Sequence, residues 1–286
     1  MARDPHGRVS VWRPGDLNQI EVRFGLEVAI PIPRHWHEEY QFCLIEADDG
    51  QVTYRGADHR TPTGGLCVIH PGEIHSNRSY VESGCSFRSL YIEPQSIREV
   101  AKQVFGQDFG LPFFPATVIY DREVVGSFLA LLAALETLAS TLEREVKLQN
   151  FAFTLVTRFA EPRKPDVDTG LKRHDVQRAI EYLTAHCDEN LRLEDLAAVA
   201  GVSAFHFSRL FAAQVGLPPH TFQNHLRLVR SKKLLREGRS ISHVAAATGF
   251  ADQSHFSRHF KRLFGVTPGS YQQNRKIVQD TIPLVA

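Results

Sequence analysis

Three histidines and two polar helix faces are the residues of this 286-residue sequence best suited by type and spacing to do chemistry. His35 and His37 stand in HWHEEYQ, and His75 closes GGLCVIHPGEIH. Imidazoles on strands can hydrogen-bond a small polar effector or one another. The helix faces carry Ala204, Phe205, Ser208 and Arg209 in one segment, and Gln253, Ser254, Ser257, Arg258 and Lys261 in another. These are types that read base edges in a major groove. Arginine bonds guanine in bidentate fashion, glutamine does so with adenine, serine adapts to several bases, and an apolar probe such as Phe205 meets a thymine methyl.

Both faces lie on an internal repeat. LEDLAAVAGVSAFHFSRLFAAQVGLPPHTF, from Leu193, aligns with ISHVAAATGFADQSHFSRHFKRLFGVTPGSY, from Ile241, after one inserted residue. Leu193, Leu196, Ala197 and Gly201 match Ile241, Val244, Ala245 and Gly249. Beyond the insertion, Phe207, Ser208, Arg209, Phe211, Gly216 and Pro219 match Phe256, Ser257, Arg258, Phe260, Gly265 and Pro268. Each copy reads as a short helix, a turn at glycine and a longer helix, because small residues let two helices approach and glycine permits the turn. Ser203 and Asp252 are the expected N-caps. Phe207, Leu210 and Phe211, and Phe256, Phe260, Leu263 and Phe264, fall at helical spacing and are expected in the core. One amphipathic helix always has a polar outer face, which by itself signifies only solvent. Two in tandem with shared turn grammar favour base reading.

Between the copies, 222–237 reads as a connecting helix, with Leu226, Val229, Leu234 and Leu235 apolar and Arg227, Arg230, Lys232, Lys233 and Arg236 basic. It is expected to hold the two reading helices near one DNA turn apart, about 34 Å, and to bring some basic residues to phosphates.

The charge divides the chain in two. Residues 171–286 hold 16 Lys and Arg against 9 Asp and Glu, a net +7, while the rest is −6. A basic C-terminal domain on an acidic N-terminal one points to a polyanion partner for the former. The length suits two domains of ordinary size, expected as 1–160, a linker over 161–170 and 171–286, with the two helix-turn-helix units at about 193–215 and 241–264. Cys43, Cys67, Cys85 and Cys187 form no CxxC pair, so neither a zinc ribbon nor a redox dithiol is indicated. The start, MARDPHGRVSVWRPGD, has no apolar core of signal-peptide type, and the richest apolar run, FLALLAALETLAS, is interrupted by Glu136. The expected location is therefore cytoplasmic, with no membrane partner.

Short strand-like runs at IEVRF, YQFCLIE, QVTYR, LCVIH and FRSLYIE, between about Val9 and Glu93, predict a sandwich or barrel. After them, 95–105 and 122–159 read as helices, with Leu131, Leu135, Leu138 and Leu142 forming an apolar stripe. The fold class is thus α+β in two domains, with an all-α C-terminal one.

The patterns LAxxAGVSxxxFSRLFxxxxGLPP and VAxxTGFxDQSHFSRHFKRxFGVTP closely resemble the AraC/XylS family of bacterial transcription regulators, over about 172–275. The resemblance implies recognition helices in successive major grooves of double-stranded DNA, base-contact positions that include His255, and an activator or repressor that often touches RNA polymerase. GGLCVIHPGEIH is similar to the cupin pattern, which implies a cupin-like barrel ahead of the DNA-binding domain. His35, His37, Tyr40, Gln41 and His75 are then the candidate ligand-binding residues. Metal-binding cupins place a glutamate where Gln41 is closest, with histidines matching His35, His37 and His75. A small organic effector is accordingly the first expectation and a divalent transition metal the second. Helices of the kind at 122–159 form the dimer interface in similar regulators, which implies a homodimer. The reading is a ligand-responsive regulator with no catalytic residues. The competing readings are a metal-dependent cupin enzyme with a helical appendage and an architectural DNA binder without a ligand.

Overall fold

A computed structural model describes residues 7–162 and 172–273. The described residues form two compact units, 7–162 and 172–273.

The first unit opens with nine strands: β1 (Arg8–Trp12), β2 (Ile20–Val28), β3 (Ile32–His35), β4 (Tyr40–Ala47), β5 (Gly50–Tyr54), β6 (Ala57–Thr61), β7 (Leu66–Ile69), β8 (His75–Ser79) and β9 (Cys85–Ile92). Helix α1 (Pro94–Phe105), strand β10 (Val118–Ile119) and helices α2 (Arg122–Glu136) and α3 (Thr141–Phe159) complete it. A six-stranded sheet runs β1-β2-β9-β4-β7-β10, and a four-stranded one runs β3-β8-β5-β6. All five predicted strand runs are present. β1, β3, β6, β8 and β10 are additional, being short or polar, like ADHRT and HSNRS.

Strand alternation splits the large sheet's side chains into two cores. Tyr40, Phe42, Leu44, Val22, Val68 and Leu90 join Phe128, Leu131, Phe151 and Leu155 in a core between sheet and helices. Their neighbours Cys43, Ile45, Cys67 and Ile69 instead meet Val52 and Tyr54 of the small sheet, so the two sheets pack face to face.

The segment 122–159, read from its spacing as one helical stretch, is broken after Glu136. The Thr137 hydroxyl donates back to the Ala133 carbonyl and Ser140 Oγ caps the next helix at the Glu143 amide. The break divides the leucine stripe. Leu131 and Leu135 are buried, whereas Leu138 lies in the break and Leu142 on the outer face of α3, both exposed.

The second unit is helical: α4 (Lys172–Ala185), α5 (Leu193–Ala200), α6 (Ala204–Val215), α7 (Pro219–Arg236), α8 (Ile241–Ala247), α9 (Gln253–Phe264) and α10 (Pro268–Gln273). Phe207, Phe211, Phe256 and Phe260 are wholly buried. Each contributes about 1.5–3 kcal/mol of burial relative to exposure.

Candidate DNA interface and ligand pocket

Both helix-turn-helix units form as the repeat requires. α5 and α6 meet at 78° across a turn whose Gly201 has a φ of 73°. In the second copy Gly249 has a φ of 78°. Ser203 Oγ accepts from the His206 amide at 3.3 Å, and Asp252 Oδ1 from the His255 amide at 2.7 Å, so both expected N-caps are made. Donation from the His255 backbone holds the Asp252 carboxyl below its ordinary range, and a charged cap also complements the helix dipole.

With the aromatic face of each longer helix buried, the other face is open. Phe205, Arg209, Gln253, Ser254, Arg258 and Lys261 are exposed, and Ala204, Ser208, His255 and Ser257 are half-buried beside them. The Arg209 guanidinium lies 5.7 Å from the Phe205 ring centre, so the two side chains share one patch. His255 and His259 stack edge to face at 4.5 Å. Burial, then the nearby His255, Arg262 and Arg258, push the His259 imidazole below its usual value.

The connecting helix differs from expectation in what its basic residues do. Lys232 is buried, with Nζ 5.5 Å from the Phe264 ring centre, so it packs the fold and is not presented to phosphate. Arg227 donates to the Cys187 and Glu189 carbonyls at 2.6 and 2.8 Å, and Arg230 to Asp188 at 2.8 Å. Gln223 reaches the same two carbonyls. One face of α7 therefore clamps the turn after α4, and a β-carbon at Gly249 would stand 2.3 Å from the Asp188 carbonyl oxygen. That turn lies between α7 and the second helix-turn-helix unit. Lys233 stays exposed. Period alone could not separate α7's solvent face from a second packing face.

In the first unit, His35, His37 and His75 converge. Their ring centres are 4.1 Å apart for His35 and His75, 4.9 Å for His37 and His75, and 6.2 Å for His35 and His37. Each Nδ1–H donates to a carbonyl two residues away: His35 to Pro33, His37 to Glu39 and His75 to Glu73. This fixes each ring's orientation. Burial pushes His37 below its ordinary value. His37 Nε2 lies 3.1 Å from Gln41 Oε1, so the ring and the amide engage each other. The His37 ring also meets Tyr91 edge to face at 5.1 Å. Arg23 lies 4.2 Å over the Tyr91 ring and is held by Glu21 at 2.9 Å.

Tyr40 does not join this cluster. It neighbours Gln41 on β4 and so points to the opposite face, where its hydroxyl donates to the Pro112 carbonyl at 2.7 Å. The alternation of adjacent strand residues was the signal that separates the two. Tyr91 and Tyr54 stand beside the same histidines, 5.1 Å from His37 and 6.5 Å from His75, with Arg23 over Tyr91; nothing in a strand's own sequence says which face is inward until the partner sheet is placed. Among the described residues no group of three His, Cys, Asp or Glu is arranged to hold a metal ion. With His37 Nε2 engaged by Gln41, the set as arranged does not fit a metal.

Known proteins resemble the chain in both units. Residues 30–152 match the AraC-like ligand binding domain, and residues 196–274 match a helix-turn-helix domain. The chain is an AraC-family transcription regulator with an N-terminal ligand-binding domain. It is 25% identical over 258 residues to the uncharacterized HTH-type transcriptional regulator YbfI of Bacillus subtilis, covering 88% of this chain and 86% of that one. It is 26% identical over 248 residues to the HTH-type transcriptional activator RhaS of Escherichia fergusonii, covering 82% and 86%. An apo form of ToxT from Vibrio cholerae shares the fold at a TM-score of 0.55 and 12% identity, covering 96% of this chain and 99% of that one.

This AraC-family regulator is a ligand-responsive, DNA-binding protein and not an enzyme. The match to the ligand-binding domain takes in His35, His37, Gln41 and His75, and the match to the helix-turn-helix domain takes in α6 and α9. Among the described residues no single helix is long and apolar enough to cross a membrane.

Proposed function

We propose that the regulator reads double-stranded DNA by placing α6 and α9 in successive major grooves on one face, and that a small organic effector seated between the two sheets alters that binding. The observation that carries the reading is the pair of open recognition faces set on buried, separately capped helices. The residues assigned to DNA are Ala204, Phe205, Ser208 and Arg209, then Gln253, Ser254, His255, Ser257, Arg258 and Lys261. α9 supplies the fuller hydrogen-bonding face, and α6 relies on Arg209 and the apolar Phe205. Lys233 is the connecting-helix residue assigned to phosphate.

The first unit is read as a cupin-like barrel whose effector meets His35, His37, Gln41 and His75, joined by Tyr54 and Tyr91. Imidazoles, an amide and phenols suit a polar ligand that both donates and accepts hydrogen bonds. The domain bounds follow as 1–160 and 171–286 with a linker over 161–170. α3 exposes Leu142, Val146 and Phe153, and this apolar face supports pairing of two chains as a homodimer. Paired chains would occupy two DNA sites and gain avidity. Relatives named RhaS are called activators, and activation through contact with RNA polymerase in the cytoplasm is the outcome assigned here.

The test is fluorescence anisotropy against fragments flanking the gene, with a thermal-shift screen of metabolites run in parallel. Selective, salt-sensitive binding that changes with a metabolite which also raises the melting temperature is expected. Binding with equal affinity to scrambled DNA would overturn the reading.

A further inference from the structure

A second polar network links the small sheet to the point where the chain leaves the first unit. Tyr54 ends β5 opposite His75, its ring centre 6.5 Å from that imidazole. Its hydroxyl accepts from the His70 amide at 3.2 Å and lies 2.9 Å from His70 Nδ1. On the other side of the His70 ring, Nε2 accepts from the Phe114 amide at 2.9 Å. His70 Nδ1 faces both the Tyr54 hydroxyl and Arg55 Nη2, at 2.9 and 3.0 Å, so one ring joins these two side chains to the Phe114 amide. Beside them Arg55 grips the Glu73 carboxylate at 2.7 and 3.1 Å. Arg55 closes the ring by donating to the Phe114 carbonyl at 3.3 Å, with its guanidinium 4.5 Å from the Phe113 ring centre.

Residues 112–114 are thus held to the sheets by three side chains, Tyr40 at Pro112 and His70 and Arg55 at Phe114. Phe113, between them, exchanges both backbone hydrogen bonds with Glu161, at 2.9 and 2.7 Å. Glu161 follows the residue that caps α3. It stands where the chain departs toward the DNA-binding unit. A run of contacts therefore leads from Tyr54, beside His75, through His70, Phe114 and Phe113 to Glu161.

We propose that His70 is a positioning residue that couples the Tyr54 wall of the ligand space to the exit of the chain at Glu161, and through that exit sets the DNA-binding strength of the second unit. The proposal rests on the reading of the first unit as the controller of the second. A change at Tyr54 is passed on because the one His70 ring meets the Tyr54 hydroxyl at Nδ1 and the Phe114 amide at Nε2.

The test uses the full chain and a duplex selected from random DNA by the wild-type protein, with a scrambled duplex as reference. His70→Leu removes the acceptor from the Phe114 amide. His70→Gln keeps an acceptor at the reach of Nε2. Tyr54→Phe removes only the hydroxyl. Glu161→Pro removes the amide that donates to Phe113 from an exposed position, where folding is least at risk. Hydrogen exchange read by mass spectrometry reports the amides of Phe113 and Phe114, and of Glu161 where it is present. Expected is loss of protection at Phe113 and Phe114 in His70→Leu and at Phe113 in Glu161→Pro, with affinity for the selected duplex shifted in one direction by about fivefold or more. Tyr54→Phe shifts the same way, and so does His70→Gln, which keeps the Phe114 amide protected but has no atom at the Nδ1 position to meet Tyr54. The His70→Leu, Glu161→Pro double variant should shift no further than either single one, as members of one chain of contacts do. Unchanged affinity despite lost protection, or effects that multiply in the double variant, would overturn the coupling. If wild type selects no duplex at all, what falls is the DNA-reading function on which the coupling rests.

Discussion

Replacing Gly249 by alanine sets a β-carbon against a carbonyl that cannot retreat. The new carbon would lie 2.3 Å from the Asp188 oxygen and 2.8 Å from its carbonyl carbon, inside the 3.0 Å that real β-carbons keep. The Asp188 segment is fixed by Arg227 and Gln223 on its flanking carbonyls and by Arg230 on its carboxylate. The backbone there is also left-handed, which costs an L-residue about 1–2 kcal/mol before any clash. Gly201 is the matched control. Its φ is nearly the same, at 73°, yet the nearest atom to an added β-carbon is a guanidinium nitrogen of Arg178 at 3.9 Å. Gly201→Ala should therefore lose about 1 kcal/mol, the left-handed cost less the entropy removed from the unfolded chain. Gly249→Ala adds an overpacking cost of about 1–3 kcal/mol and should lose about 2–4 in all. At a urea slope of about 2 kcal/mol/M the midpoints fall by roughly 0.5 M and 1–2 M. Circular dichroism at 222 nm follows the helices. Trp12 and Trp36, the two tryptophans of the sequence, both lie in the first unit, so their fluorescence is an internal control that should not move. Equal midpoints for the two variants would refute the packing of Gly249 on the Asp188 turn.

Other expected outcomes follow from single side chains. Arg258→Ala should weaken the selected site by about 1–3 kcal/mol and relax preference at one base pair, read by anisotropy against singly substituted duplexes. Lys232→Ala should lower the urea midpoint of the helical transition and leave the salt dependence of DNA binding unchanged, because its amine packs on Phe264. Val146→Glu, on the exposed face of α3, should shift sedimentation from dimer to monomer without altering the melting temperature. For pH, burial lowers folded His37 below 6.5, so the unfolded chain takes up the proton first. The stability of the first unit is then full above that range and falls as pH drops from there through the lowered folded value. Tryptophan-monitored unfolding at pH 7.5 and 5.5 should show this loss in wild type and a smaller one in His37→Gln.

Much of this arrangement is legible in the sequence because the repeat writes it twice. Gly201 with Ser203 and Gly249 with Asp252 mark the same turn, and Phe207, Phe211, Phe256 and Phe260 mark the same buried face. The strand runs were legible where apolar residues alternate or cluster, as in YQFCLIE and LCVIH, and not in ADHRT or HSNRS, whose strands are held by ladder hydrogen bonds and carry little apolar signal. The grouping of His35, His37 and His75 followed from motif spacing. Tyr40 was misplaced because a one-residue step reverses the face. Which basic residues of α7 face phosphate was not legible, because a helix packed on several sides buries the stem and amine of a lysine such as Lys232 that composition alone would put in solvent. The roles of His70 and Glu161 were not legible at all, since they arise from pairings 44 and 48 residues apart, Phe114 with His70 and Phe113 with Glu161.

The central claim is that α6 and α9 read DNA together from one face. Methylation interference on the selected duplex, with wild type and with Arg209→Ala and Arg258→Ala, tests it most directly. Two interference tracts about 10 base pairs apart on one face are predicted, each variant erasing one tract and sparing the other. A single tract, or the same tract lost in both variants, would contradict the account.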